Sequence, residues 1–209
     1  MTPAKTAVRA SQSGSRRAHV ERRTKETHVL VRLKLDGTGK TEISTPVPLV
    51  THWLEALARH ALFDLIVTAE EFVEDDHHHV IEDIGLTLGK ALREAWGDRE
   101  GIVRFGHIVV PMDEARVECS IDLCGRPYLV YDMELPNRKY NFDQLLVEEF
   151  MKSVANEAKF NLHLRMAAGR NLHHIFEASF KALGRCFRQA LAHDPRERGA
   201  PSTKGTLSA

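Results

Sequence analysis

No apolar run in the 209-residue sequence approaches the ~18 residues a membrane-spanning helix needs, and the first residues carry no hydrophobic signal core. The expected location is therefore the cytosol. Charge of one sign is not in excess either, because 29 Lys and Arg balance 29 Asp and Glu. Neither a nucleic acid nor a membrane surface is an expected partner. Cysteine is scarce: Cys119, Cys124 and Cys186 lack metal-ligand spacing and cannot all pair, which suits packing residues in a reducing compartment. What the sequence does have is histidine, 12 in all and strongly clustered. Clustered histidine points first to metal binding or proton transfer.

Residues 1–18, basic and without apolar periodicity, read as a disordered leader. From His28 to Leu35 apolar and polar residues alternate, as in a half-buried strand ending at the Asp36-Gly37-Thr38-Gly39 turn. A second strand through Ile43 follows, then a helix over Leu49 to Leu62, a strand over Leu65 to Ala69 and a long helix from His78 to Trp96. The order then returns. Val117, Cys119 and Ile121 alternate into the Cys124-Gly125-Arg126-Pro127 turn and a strand over Tyr128 to Leu135. After them come a helix near Phe142 to Asn156, a strand near Phe160 to Met166 and a helix from Leu172 to Ala192. At an offset of 95, Asp76-His77-His78-His79-Val80-Ile81-Glu82 meets Asn171-Leu172-His173-His174-Ile175-Phe176-Glu177, an internal duplication. The expected fold is α+β: two β-β-α-β-α units, residues 19–110 and 111–195, whose sheets stack through a layer of helices, with residues 196–209 as a tail.

A helix advances about 100° per residue, so His78 and Glu82 share a face, as do His173 and Glu177. Each pair can grip one cation. His79 and His174 point about 100° away and suit a second ion, so the repeat suggests two metal sites drawing ligands from both halves or from different subunits. Imidazole and carboxylate without thiolate suit Mn, with Fe or Zn as alternatives. His77 has Leu172 as its counterpart and reads as peripheral. His163 lies opposite Thr68 at the end of its half's third strand and is a plausible further ligand.

A series of motifs adds to this. Along the chain stand Arg23-Thr24-Lys25-Glu26-Thr27, Ala58-Arg59-His60, Gly101-Ile102-x-Arg104-Phe105-Gly106, Pro111-Met112-Asp113-Glu114, Leu162-His163, Phe180-Lys181-Ala182 and Pro201-Ser202-Thr203-Lys204-Gly205. In this order, with the two histidine motifs, they resemble the imidazoleglycerol-phosphate dehydratase family over about residues 18–207. The resemblance implies a ribosomal protein S5 domain 2-like fold and a hydro-lyase of histidine biosynthesis. Such an enzyme converts imidazole glycerol phosphate to imidazole acetol phosphate, with two Mn ions per site and 24 subunits whose active sites lie between them. By motif position the implied ligands are His52, His78, His79, Glu82, His163, His173, His174 and Glu177. Four ligands per ion leave positions for water or the substrate's imidazole. The metals would act as Lewis acids in removing a barely acidic proton and a neighbouring hydroxyl. Glu26 is the implied proton-transfer group, with Glu82 and Glu177 beside it in the reacting centre.

For the phosphate the matching positions are Arg104, Arg126, Lys181, Ser202, Thr203 and Lys204. The sequence departs from the family around His52, where Thr45-Pro46-Val47-Pro48-Leu49-Val50-Thr51 replaces a glycine- and phenylalanine-containing run ending in aspartate, and Ala56 replaces a glutamine. Cys124 stands for a serine, and Glu70 for a glycine. Losing the aspartate removes a potential orienter of His52. Two further readings remain open on the residues alone. One is a two-metal hydrolase of a phosphorylated small molecule. The other is a non-catalytic assembly protein glued by metal.

Overall fold

The computed structural model describes residues 16–73, 77–136 and 142–207. Its elements are β1 (Arg17–Arg23), β2 (Thr27–Lys34), β3 (Thr41–Ser44), α1 (Pro48–Ala61), β4 (Asp64–Glu71) and α2 (His78–Trp96), then β5 (Phe105–Met112), β6 (Ala115–Asp122), β7 (Tyr128–Asp132), α3 (Leu145–Ala158), β8 (Asn161–Ala168) and α4 (Leu172–Ala190). Each half is a four-stranded sheet, ordered β1-β2-β4-β3 and β5-β6-β8-β7. The fold is the duplicated α+β arrangement, with one strand more per half than alternation alone predicts.

The extra strands are β1 and β5, and both are sheet edges. β1 buries only Val20 and surrounds it with charge, as edge strands do to discourage further pairing. Such a strand has no apolar alternation to see. Arg17 and Ala18, placed in the leader by composition, belong to it, while residues 1–15 lie outside the described set. The central strands alternate as expected, with Val29, Val31 and Leu33 of β2 and Val117, Cys119 and Ile121 of β6 facing inward.

Both inner faces are covered by helices, α1 and α2 on the first sheet and α3 and α4 on the second, and α1 packs on α4 as α2 packs on α3. Glycine makes these crossings close. A Cβ at Gly184 would stand 2.4 Å from the Leu57 carbonyl and 3.1 Å from the Ala61 nitrogen, and one at Gly89 would stand 2.8 Å from the Val154 carbonyl and 3.2 Å from the Ala158 nitrogen. Gly89 and Gly184 are 95 residues apart, so the duplication extends to how the helices dock. Trp53 fixes the first crossing, stacked on Phe180 at 5.4 Å and edge-on to Phe176 at 5.5 Å.

Helix direction follows from these contacts. α1 starts beside the Ser44–Thr68 pair, and α2 starts beside Glu26 and the Thr27–Glu71 pair, at the same end of the first sheet. His52 meets Glu177 near the starts of α1 and α4, and their later residues meet at Gly184. The chain thus has two poles, one carrying helix N-termini and the other helix C-termini.

Candidate active site

The N-terminal pole gathers histidine and carboxylate. Burial of Trp53 turns its neighbour His52 toward α4, where His52 Nε2 lies 3.1 Å from Glu177 Oε2. One helical turn separates His173 from Glu177, and His173 Nε2 reaches the same oxygen at 3.1 Å. The two imidazoles lie face to face, with ring planes 8° apart and centroids 5.6 Å apart. One atom from each of His52, His173 and Glu177 falls within 4.8 Å of the others, close enough to hold one cation. Glu177 is buried, which pushes its carboxyl pKa up, but Lys181 Nζ at 2.7 Å and His52 outweigh that and bring it to about 2. A carboxylate held ionised beside two imidazoles is a donor set that suits Mn, Fe or Zn.

Asn171 starts α4 by accepting from the His173 amide, a side-chain cap. His174 then points away from Glu177. Its Nδ1 lies 2.7 Å from Glu114 Oε2, and its Nε2 lies 3.3 Å from Asn171 Nδ2 and 3.6 Å from Asp113 Oδ2. At the start of α2 the arrangement is parallel: the rings of His78 and His79 stand nearly perpendicular, and His79 Nδ1 lies 3.1 Å from Glu26 Oε2. Glu82 sits one turn past His78, in the first turns of α2. His77 adopts a left-handed conformation with its Nδ1 2.7 Å from Glu71 Oε2, while Asp76 lies outside the described residues.

His163 is placed elsewhere. In β8, Leu162 and Leu164 face the helices, so His163 is exposed on the sheet's outer face, beside Ser120 of β6 and Val130 of β7. Side chains at this position do not reach the motif helix of their own chain.

The six phosphate-binding candidates divide between the poles. Lys181 sits with Glu177. Arg104, Arg126, Ser202, Thr203 and Lys204 gather at the other end, because the Arg104 amide bonds the Ala190 carbonyl at the end of α4 and Arg126 lies in the turn before β7. The tail there is tied down: Arg104 donates to the Pro201 carbonyl at 2.8 Å, Arg99 donates to the Leu207 carbonyl at 2.9 Å, and Leu207 is buried. Its last two residues, 208–209, lie outside the described set. Arg104 also grips Asp122 through two nitrogens at 2.7 and 3.0 Å, whereas Arg126 is exposed. From Glu177 to Ala190 is 13 residues of helix, about 20 Å.

The substituted segment before His52 settles without evident cost. Pro48 occupies the first helical position of α1, where a missing N–H is tolerated. The Thr51 hydroxyl, at the family's aspartate position, bonds Thr45 at 2.9 Å inside the loop.

Sequence reasoning assigned no role to Glu114, Asp113, Asp83 or Glu71. Asp83 is buried and accepts from the Thr27 hydroxyl and from Arg22 Nε, pinning the loop that carries Glu26 onto α2. Glu114 accepts from the Arg170 amide at 3.0 Å and the Asn171 amide at 2.7 Å, and these bonds, after that of His174, lower its pKa to about 2. Its signal in the sequence is positional: Glu114 directly precedes β6 as Glu26 directly precedes β2.

Residues 45–187 match the family described as imidazoleglycerol-phosphate dehydratase. The chain is 50% identical over 195 residues to the imidazoleglycerol-phosphate dehydratase of Moorella thermoacetica, covering 93% of this chain and 100% of that one. With the chloroplastic imidazoleglycerol-phosphate dehydratase of Pisum sativum it shares 48% identity, over 93% of this chain and 70% of that protein. In three dimensions it is similar to IGPD from Pyrococcus furiosus, with a TM-score of 0.77, 36% identity, and coverage of 89% of this chain and 99% of that one. The Staphylococcus aureus imidazoleglycerol-phosphate dehydratase gives a TM-score of 0.75 at 32% identity, with 85% and 100% covered. A matched segment this long and relatives this similar, together with two histidine-carboxylate helix starts in a duplicated frame, place the chain in the imidazoleglycerol-phosphate dehydratase family.

Proposed function

We propose that the chain removes water from imidazole glycerol phosphate to give imidazole acetol phosphate, as a hydro-lyase of histidine biosynthesis, in active sites completed between subunits. Family membership carries the activity, and neither a hydrolase nor an inert assembly protein is favoured. The shared site rests on one observation. The histidine pole and most of the phosphate-binding candidates lie about 20 Å apart on one chain, and a substrate whose ring and phosphate are joined by three carbons cannot bridge them. A second chain must present its basic pole to the first chain's histidine pole, in the closed symmetric manner usual for oligomers. The 24-subunit assembly and the cytoplasmic location fit this reading.

The atoms balance simply. Hydroxide leaves the carbon beside the ring, a proton leaves the next carbon, and the resulting enol becomes the ketone. His52, His173 and Glu177 would hold one divalent cation, and His78, His79, Glu82 and His174 would contribute to a second site or to a neighbour's, with His163 supplied by another chain. Two Mn ions, or Fe or Zn, would supply Lewis-acid stabilisation of the ring's developing negative charge. Glu26, half exposed beside His79, is the group to move the carbon-bound proton. Lys181, through Glu177, keeps that carboxylate ionised, and Arg126, Ser202, Thr203 and Lys204 bind the phosphate of a neighbour's substrate, with Arg104 bracing the tail.

Subunit mixing tests the proposal. Arg126→Ala and His173→Ala should each abolish turnover, and co-assembling the two inactive proteins should restore it, because some sites then pair an intact histidine pole with an intact basic pole. Inactive mixtures that have demonstrably exchanged subunits would refute the shared site. A wild-type assembly that binds Mn yet forms no ketone from the substrate would refute the activity.

A further inference from the structure

Glu26 and Glu114 occupy the same place in the two halves, each immediately before the second strand, and each faces Nδ1 of the second histidine of its motif. Their surroundings differ. Glu26 has half its side chain exposed and, among the described residues, only His79 against its carboxylate. Glu114 is fixed: its Oε1 accepts from the Arg170 and Asn171 amides, just ahead of α4, which leaves Oε2 for His174 Nδ1 at 2.7 Å.

A carboxylate can only accept, so His174 carries its proton on Nδ1. The Nε2 lone pair then points outward, where Asn171 Nδ2 donates to it at 3.3 Å. We infer that Glu114 is the positioning residue of the second half, holding His174 as the tautomer whose Nε2 can ligate a cation. The inference rests on the metal-centre reading above. The duplication has thus produced two glutamates with divided duties, Glu26 loose enough to move a proton and Glu114 locked to orient a ligand. Partners of this kind commonly sustain metal affinity by about 10–100-fold.

Glu114→Gln separates orientation from mere bracing of the loop. The single amide oxygen stays with the two backbone N–H groups, because an NH2 group there would meet two donors. The NH2 must then face Nδ1, which becomes the acceptor, and the imidazole proton moves to Nε2. Wild-type and Glu114→Gln assemblies, stripped with a chelator, are titrated with Mn2+ and bound metal is followed by electron paramagnetic resonance. The expected result is Mn2+ affinity about 10–100-fold weaker in the variant, with the stripped protein still folded and assembled. Equal affinity would overturn the role of Glu114 alone, whereas a wild-type protein that takes up no Mn2+ would overturn the metal reading itself. Nitrogen NMR of 15N-histidine-labelled, metal-free wild type gives an answer that needs no variant. His174 should show a protonated Nδ1 and a bare Nε2, and the opposite tautomer would refute the proposal.

Discussion

Replacing Gly184 by alanine sets two effects of opposite sign against each other. Within a helix, alanine is favoured over glycine by about 1 kcal/mol, so propensity alone makes Gly184→Ala stabilising. The structure says otherwise, because the new Cβ would stand 2.4 Å from the Leu57 carbonyl oxygen, an atom of another helix's backbone that cannot rotate aside. Helices α1 and α4 must separate, and overpacking of this kind costs about 1–3 kcal/mol. With backbone as the obstacle the upper end applies, which leaves a net loss of about 2 kcal/mol. For a chain of this size that is a fall in melting temperature of roughly 4–8 °C. Gly89→Ala is the internal control, since its Cβ would meet the Val154 carbonyl at a milder 2.8 Å and should lose about half as much. Gly184→Ala should also weaken metal uptake, because the same helix pair brings His52 to Glu177. Thermal melts and urea titrations of both metal-free variants give the stabilities. A Gly184→Ala protein as stable as the parent, or more stable, would show that α1 and α4 do not cross as described.

Two more outcomes follow from buried and partly buried polar contacts. Thr27→Val keeps shape but strips the hydroxyl from Asp83, leaving a buried carboxylate oxygen short of a donor. It should cost about 1.5–3 kcal/mol in urea unfolding, and a change under about 0.5 kcal/mol would disprove the contact. Asp64 accepts from the Thr38 and Lys40 amides of the loop between β2 and β3, and the Thr38 bond foremost holds its carboxyl below the ordinary range. A depressed folded-state value means that this stabilisation is complete above the unfolded pKa near ~3.9 and fades as pH falls below it. Asp64→Asn should therefore flatten the acid limb of the stability profile below about pH 4, and an unchanged limb would count against those bonds.

Apolar spacing made the helices and central strands legible because their burial is periodic: Trp53, Leu54, Leu57, Ala58 and Ala61 trace one face of α1, and Leu65, Val67 and Ala69 one face of β4. β1 escaped notice because it buries only Val20 among charged and polar side chains, and β5 because Ile108, Val109 and Val110 run on without a polar residue, so no alternation marks its inner face. The histidine motifs were visible through the one-turn spacing of His173 and Glu177, which the structure realises at 3.1 Å. His52 came only from resemblance, since a lone helical histidine carries no local mark. Glu114 stayed unassigned because an Asp-Glu pair in a tight hairpin is what any turn offers. Its meaning appears only when β6 brings it against His174. The separation of the poles is likewise a property of four helices pointing one way, which no sequence window contains.

The duplication is faithful in frame and unfaithful in chemistry, and on the shared-site proposal that difference is why one chain would not be enough. α1 and α3 are both 14 residues long, each ends on a left-handed residue, and each lies against a glycine of the motif helix it packs on. The fifth residue of α1 is His52, which supplies the third member of the cluster with His173 and Glu177. The fifth residue of α3 is Glu149, and it bonds Lys152 at 3.2 Å. Among the described residues, α3 therefore offers the first motif, His78 and Glu82, no imidazole at the position where α1 offers one to its twin. His163 could provide one, yet it faces outward and toward the basic pole, three residues into β8 and on the wrong side of the sheet. On the shared-site proposal, a histidine so placed would serve a neighbour. Arg126 and the tail lie at that same end of the chain, so on this proposal one docking event would deliver both the further ligand and the phosphate-binding cations to the helix starts of the next subunit.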